Sequence, residues 1–471
     1  MLRDKIAIIG AGSIVFCSTL LNDIFGTPSL DGFEIALMSP TETKIERMRG
    51  YAEKLIAQNG LKTRVYATTD RRDALRGAKY VILIFQIGGA EAFRRDYEIP
   101  MRYGVDQCIG DSMGPGGVFR LLRTAPVMRQ IGRDIDELCP GARVLNYVNP
   151  MGAVCAHLGR YTGMDFVGLC HGVQTTMDLI AGYTGAPKDE IDFVAAGINH
   201  MAWFLSLRHE GRDLYPILKE RMEAPEYFMN EKVRGEVMRH GGYFMTESTG
   251  HLSEYLPWFR KSAAALAEYC DMPDFGGASG AYFRFSEAIQ RKYAEADVFA
   301  LESGRLEPRS KEYCSYILEA LETGVPFKFN GNVLNRGYIA NLPSDACVEV
   351  PIFADRLGLH PTFVGKLPGH LAAMNQSNLS VQSLAADAAE RADPEAAFWA
   401  VAMDPLTSAV LTLREIRELV AELFEAEAEW LPEFADKPLR RVKPIPIPKG
   451  TVPAEVPVDP ALAISKRFGK L

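Results

Sequence analysis

Strands alternating with helices through the first 195 residues predict an α/β fold, a doubly wound parallel sheet with helices on both faces and a C-terminal α+β half. Two observations carry the first part. The apolar run 5–9 stops at Gly10-Ala11-Gly12-Ser13 before an apolar helical pattern over 14–25. Further short apolar runs follow at 33–38, 80–85, 143–148 and 166–170, with helical stretches between them. The second part rests on a change of rhythm after about residue 195: longer helical patterns at 263–269, 309–322, 379–391 and 408–430 surround "FKFNGNVLNRGYIANLP", a loop and short-strand segment. The last stretch, "KPIPIPKGTVPAEVPVDP", is Pro-rich and reads as an extended arm, either a free tail or a contact with a second subunit.

Bulk properties narrow the function classes. A chain of 471 residues fits two or three packed units, and 47% hydrophobic with 24% charged residues describes a globular protein. A net charge of -8 leaves no broad basic footprint, so no nucleic-acid partner is expected. The chain enters a strand almost at once, "KIAIIGAGSIVF", without a basic region and small-residue cleavage site, and no apolar run is long enough for a bilayer. The eight cysteines form no CxxC pairs and lack the density of a disulfide scaffold. The expectation is a cytoplasmic protein with reduced thiols and no membrane contact.

The strand-turn-helix setting of Gly10, Gly12 and Ser13 is the one in which backbone N–H groups at a helix N-terminus hold a pyrophosphate. Val15 stands where the Rossmann fingerprint has Gly or Ala, so an ordinary tight βα turn is the alternative. An acid at the end of the second strand normally holds the ribose hydroxyls. Here "ALMSPTETK" places Ser39, which can donate to a ribose or leave room for a 2′-phosphate. The choice between NAD and NADP turns on that residue.

Cys170 falls where the fourth or fifth strand ends, at the carboxyl edge where open α/β sheets bind ligands. Thirty residues on, "GINHMAWF" supplies Asn199 and His200. Thiolate and imidazole suit Zn, Mn, Fe or Co, although a buried inert cysteine is the commoner case. Two more segments point to the same edge: "CIGDSMGPGGVFRLLRTAPVM", a Gly-dense loop with Asp111, and "NYVNPMG", with Asn146 and Asn149. Taken singly, the first also reads as a plain turn and the second as a strand terminator.

Together with "GAGS", "QIGGAEAFRRDYEIPMRYG", "GDSMGPGG", "GLCH", "GYFMTESTGHLSEYLPWF", "NRGYIANLP" and "DPLTSAVLTL", these segments resemble glycoside hydrolase family 4 from Lys5 to about Phe434. That family is an exception to the rule of two flanking carboxylates, and no persuasive carboxylate pair stands in this sequence. The resemblance implies a Rossmann-type, lactate/malate dehydrogenase-like sheet, with a dinucleotide-binding domain over 1–195, an α+β substrate, metal and oligomerisation domain over 196–436, and an arm over 437–471. It implies NAD and a divalent metal, Mn foremost, and a route through oxidation at sugar C3, loss of the C2 proton, elimination of the aglycone, water addition and re-reduction. Cys170 and His200 match the metal ligands and Tyr255 the catalytic base. Asp111 lies in the substrate loop, and Asn149 matches a sugar contact. Gly10, Gly12, Ser13, Ser39, Gln86 and Asn146 are the implied cofactor residues, and Asn199 and Arg336 further substrate residues. His251, Arg260 and Lys261 are the nearby cations that can lower the Tyr255 pKa. The family also implies a homodimer or homotetramer.

His171 directly after Cys170 resembles the members acting on unphosphorylated sugars and is assigned to the leaving group or the sugar. The "CH" pair, "GINHMAWF" and "SEYLPWF" are most similar to the α-galactosidase and α-galacturonidase branch. Gly172, Gly250 and Ser39 depart from that branch and also fit the related NAD-dependent sulfoquinovosidases. A neutral α-galactoside and an anionic sugar, an α-hexuronide or an α-sulfoquinovoside, are thus held nearly level. A dehydrogenase of the lactate/malate type, or a dinucleotide-binding sensor without catalysis, would show the same N-terminal half.

Overall fold

The computed structural model describes residues 4–295 and 304–454. Six parallel strands open the fold: β1 (Lys5–Ile9), β2 (Glu34–Met38), β3 (Arg64–Thr68), β4 (Tyr80–Leu83), β5 (Arg143–Asn146) and β6 (Asp165–Gly168). Their order is β3-β2-β1-β4-β5-β6, the doubly wound arrangement in which ligands sit at the strands' carboxyl ends. β1 and β4 are buried along their whole length, as expected of strands covered on both faces. β3 escapes the apolar pattern because it is the edge strand and only partly covered. Cys170 therefore follows the sixth strand rather than the fourth or fifth. β4, β5 and β6 each stop two residues short of the apolar runs, and the surplus residues turn out of the sheet toward the binding edge.

The helices that flank the site are α1 (Ile14–Phe25), α2 (Glu42–Asn59), α3 (Gly89–Arg102), α4 (Gly114–Leu138), α5 (Met151–Tyr161), α6 (Gly172–Thr184), α7 (Thr249–Tyr255), α8 (Gly369–Arg391) and α9 (Leu413–Ala426). The helix expected over 309–322 begins at Tyr313, because Arg309 and Ser310 are engaged by Glu319 and Asp23. The pattern expected over 408–430 is three pieces. Helix Pro405–Val410 ends, and Thr412 and Glu415 form a capping box that starts α9 afresh. A single 3-10 turn, Ala428–Trp430, follows.

The sheet does not end at residue 195. β7 (Ile191–Ile198) crosses the boundary drawn at 195/196 and forms a hairpin with β8 (Met201–His209), followed by β9 (Arg212–Asp213). β10 (Phe327–Leu334), β11 (Cys347–Asp355) and β12 (Gly358–Pro361) complete a 12-stranded sheet. The junctions are single antiparallel pairs, Gly168 with Asn332 and Glu349 with Gly197. Residues up to Leu439 thus form one compact unit, while residues from Arg440 form another. In the latter, 440–454 is exposed and has neither helix nor strand; the rest of the Pro-rich arm lies outside the described residues. Among the described residues no helix is long and apolar enough to cross a membrane, and all eight cysteines are free.

One buried ion cluster ties the helices together. On α4, Arg123 Nη1 donates to Asp96 Oδ1 of α3 at 2.9 Å and to Glu427 Oε2 at 2.8 Å, and Nη2 pairs with the second Asp96 oxygen. All three side chains are fully buried. Asp96→Ala leaves a guanidinium short of its charge partner in a dry interior and is expected to destabilise the fold by ~3–5 kcal/mol, read by urea unfolding.

Candidate active site

At the end of β1 the backbone must come close to the β4 loop. A Cβ on Gly10, whose φ is +98°, would lie 2.7 Å from the Phe85 amide nitrogen, and a Cβ on Gly12 would lie 2.9 Å from Ser39 Oγ. Ser13 caps α1 without a side-chain bond, and no acid stands in the first turn. The unpaired first-turn N–H groups are thereby left for an anion, and the cradle fits a pyrophosphate. Ser39 is buried and accepts from the Thr41 amide at 3.3 Å. Gln86 is exposed at the end of β4, and its amide donates to the Gly89 carbonyl at 3.0 Å.

A group that could hold a cation forms where the two halves of the sheet meet. Cys170 leaves β6, while His200 occupies the two-residue turn between β7 and β8. Glu247 arrives on the loop before α7. Donor atoms of these three residues lie within 4.8 Å of one another, with His200 Nε2 3.3 Å from Cys170 Sγ and 3.2 Å from Glu247 Oε2. His200 and Glu247 both have left-handed backbones, at φ 63° and 81°, a conformation that costs a non-glycine residue free energy and recurs at functional sites. Burial lowers the His200 pKa to about 4, against the opposing pull of Glu247, so the ring is neutral and offers a lone pair. Burial would raise the Glu247 carboxyl, but His200 and His251 outweigh it and hold the group well below the usual range. Burial also lowers His251, yet its contact with Glu247, 3.6 Å away, wins and brings its pKa to about 9. Burial pushes the Cys170 thiol up, reinforced by Glu247 and Glu349; a bound cation is what turns such a thiol into a thiolate ligand. One thiol, one neutral imidazole and one carboxylate fit a divalent ion with room for substrate oxygens.

Tyr255 closes the group. Its hydroxyl is 3.0 Å from His200 Nδ1, so one imidazole joins the cation donors to a phenol. Burial, then Asp111, Glu247 and Glu254, hold the phenol well above its ordinary pKa. Beside it lies the Gly-dense loop that carries Asp111. Asn149 Nδ2 donates to Asp111 Oδ2 at 3.1 Å, and Ser112 Oγ to Asp111 Oδ1 at 2.7 Å. Burial would raise Asp111, but Arg120 foremost keeps it ionised below the ordinary carboxylate range. Glu254 pins the loop from below, accepting from Gln107 Nε2 at 3.0 Å, from the Gly110 amide at 3.1 Å and from the Ile109 amide.

The remaining expected residues divide. Asn199 sits in the His200 turn, buried, with Nδ2 unpartnered. His171 is at the rim, its side chain 61% exposed and its Nδ1 3.4 Å from Glu312 Oε1, which raises its pKa. Asn146 ends β5, but its side chain is buried and serves its own turn, donating to the Val148 carbonyl and accepting from the Val148 amide. Arg336 is not brought to the cluster. Its loop runs past Leu334, which packs on Gly159, to Asp345, which pairs with Arg160; this is the end of α5 remote from the site. Of the cations near Tyr255, Arg260 is committed to Asp106 and the Gly277 carbonyl, Lys261 is exposed, and His251 alone joins the group. Sequence reasoning missed Glu247 as a candidate ligand. The available signal was the i, i+4 pair of Glu247 and His251 in "TESTGH".

Comparisons with known proteins agree with this architecture. The model described as family 4 glycosyl hydrolase matches residues 5–185, and the one for the family 4 C-terminal domain matches 195–407. An α-galactosidase of Rhizobium meliloti is 42% identical over 443 residues, covering 92% of this chain and 90% of its own. An α-galactosidase of Bacillus subtilis is 40% identical over 434 residues, covering 91% and 99%. The fold is shared with a 6-phospho-α-glucosidase from gut microorganisms solved in complex with NAD and Mn2+, at a TM-score of 0.76, 20% identity, and coverage of 92% and 99%. The chain belongs to the family 4 glycosyl hydrolases. It is a glycosidase, which sets aside the dehydrogenase and sensor alternatives.

Proposed function

We propose that this enzyme cleaves unphosphorylated α-glycosides, α-galactosides foremost, using NAD and a divalent cation, Mn2+ by the family resemblance. The observation that carries the reading is the single imidazole of His200, with Tyr255 on one nitrogen and Cys170 and Glu247 at the other. Bound NAD supplies reversible hydride chemistry at sugar C3, and the cation polarises the neighbouring sugar oxygens. Cys170, His200 and Glu247 hold the cation, and Gly10, Gly12 and Ser13 form the pyrophosphate cradle. Asp111 and Asn149, already bonded to each other, orient the sugar hydroxyls. Tyr255, whose phenol stands above its ordinary pKa here and would be drawn down by the positive charge of a cation held at His200, takes the C2 proton, which the C3 ketone has made acidic, and returns one when water has added. His171, held by Glu312 at the rim, passes a proton to the departing oxygen.

The α-galactoside stands ahead of the α-hexuronide because the α-galactosidases are 42% and 40% identical, whereas an α-galacturonidase of Thermoanaerobacterium saccharolyticum is 27% identical. An aryl α-galactoside incubated with enzyme, Mn2+ and a trace of NAD is expected to release the aryl alcohol with no net NADH. Stoichiometric NADH, or tight NAD binding without turnover, would overturn the reading. Cytoplasmic location is part of the same proposal, supported by eight free thiols. So is a homodimer or homotetramer; it would cover exposed aromatics such as Trp258 and Phe285.

A further inference from the structure

Four arginines of the described residues are almost wholly buried, and three of them have their donors taken. Arg123 is bound by Asp96, Glu427 and the Ile87 carbonyl. Arg234 is bound by Glu231, Thr176 and the Glu247 carbonyl. Arg260 is bound by Asp106, Ser253 and the Gly277 carbonyl. The fourth, Arg120, differs. Its side chain is 7% exposed, yet neither Nε nor Nη1 has a hydrogen-bond partner.

Arg120 lies on the second turn of α4, the helix that begins in the Gly-dense loop after Asp111. Its Nη1 is 3.8 Å from Asp111 Oδ2, the same oxygen that accepts from Asn149. That distance gives Coulombic attraction but no hydrogen bond. The guanidinium carbon stands 5.8 Å from the centre of the Phe93 ring, and Phe93 packs on Tyr282. An aromatic wall therefore covers one side, and Asp111 supplies counter-charge without consuming the donors. A buried guanidinium that keeps free N–H groups is unfavourable unless a partner completes it, and an N–H held in a fixed direction by the planar group suits an oxygen brought by a ligand.

Resting on the glycosidase reading, we propose that Arg120 is a specificity-determining residue that donates from its free Nε–H to the substrate oxygen at C4 or C6, while Nη1 stays turned to Asp111. Arg120 touches the site through Asp111 and makes no contact with Cys170, His200, Glu247 or Tyr255, which serve C2 and C3. We therefore assign its free donor to a sugar oxygen other than those at C2 and C3. The sugar oxygen completes the guanidinium, so a substrate lacking it leaves the donor bare, a discrimination that an apolar pocket cannot supply.

The test is calorimetric binding of methyl α-galactopyranoside and its 2-deoxy, 4-deoxy and 6-deoxy derivatives to the enzyme loaded with NADH and Mn2+, a form that cannot take hydride from C3 and so leaves the sugar intact. The parent protein is expected to bind either the 4-deoxy or the 6-deoxy sugar at least about tenfold more weakly than the full glycoside. Arg120→Met is expected to lose that particular penalty while keeping the 2-deoxy penalty, and Arg120→Lys to restore part of it. If neither deoxy sugar is disfavoured by the parent protein, or if the penalties persist unchanged in Arg120→Met, Arg120 is satisfied by water and Asp111 and the proposal falls. The parent-protein series stands even if Arg120→Met fails to fold. Binding is separable from turnover: an enzyme that shows the Arg120-dependent penalty but releases no aryl alcohol upholds this assignment and overturns the catalytic reading. A protein that binds none of the four sugars overturns both.

Discussion

A Cys170→Ser enzyme is expected to emerge from dialysis without stoichiometric Mn2+ and to lose about a thousandfold or more in kcat/KM on an aryl α-galactoside, while NAD affinity holds. The size follows from its place: loss of a residue that merely supports a ligand costs on the order of 10–100-fold, and Cys170 is one of three donors. The serine hydroxyl is a harder, protonated group that leaves His200 and Glu247 as the whole protein contribution. NAD affinity is the internal control, because Gly10, Gly12 and Ser13 belong to β1 and α1. Metal content by atomic absorption checks the result. Full retention of Mn2+ would return Cys170 to the class of buried, inert thiols.

Tyr255→Phe separates the steps of the reaction. Removing one oxygen is expected to abolish exchange of the substrate C2 proton with deuterated water and to lower kcat by about 10²–10⁴. His200 Nδ1 loses its partner at the same time, so a smaller fall in Mn2+ affinity is also expected. Because saturating Mn2+ restores the donor set but not the phenol, the exchange defect persists under saturation. Exchange at the parent rate in Tyr255→Phe, followed by mass spectrometry, would remove Tyr255 from the chemistry.

What could be read from the chain depended on whether the signal was local. The turn at Gly10 and Gly12 was legible because strand, turn and helix are consecutive and close backbone approach to Phe85 demands glycine. Cys170 and His200 were legible only with the family resemblance, since spacing alone does not say that a strand end and a hairpin turn meet. Glu247 was hidden by its distance along the chain and by a left-handed loop that no pattern marks. Arg336 was drawn in by its motif, but the chain carries it to the far end of α5. The boundary at 195/196 falls where the match to the family's C-terminal domain begins, and within the single sheet it marks a change from parallel to antiparallel pairing. Arg120 stood in a quoted motif, yet free donors on a buried cation are a property of its surroundings and cannot be read from letters.

The left-handed backbones at His200 and Glu247 bear on which ions the enzyme selects. Two of the three donors hang from main-chain positions that cannot swing without unfolding a hairpin turn or dislodging a helix cap. On the proposed reading the cage would be shaped during folding, and an incoming cation would meet little reorganisation. Such a frame discriminates by geometry as much as by affinity. It disfavours an ion that needs its ligands to gather into a square plane, and it favours one content with three fixed donors and several exchangeable oxygens, which are the positions a sugar must occupy.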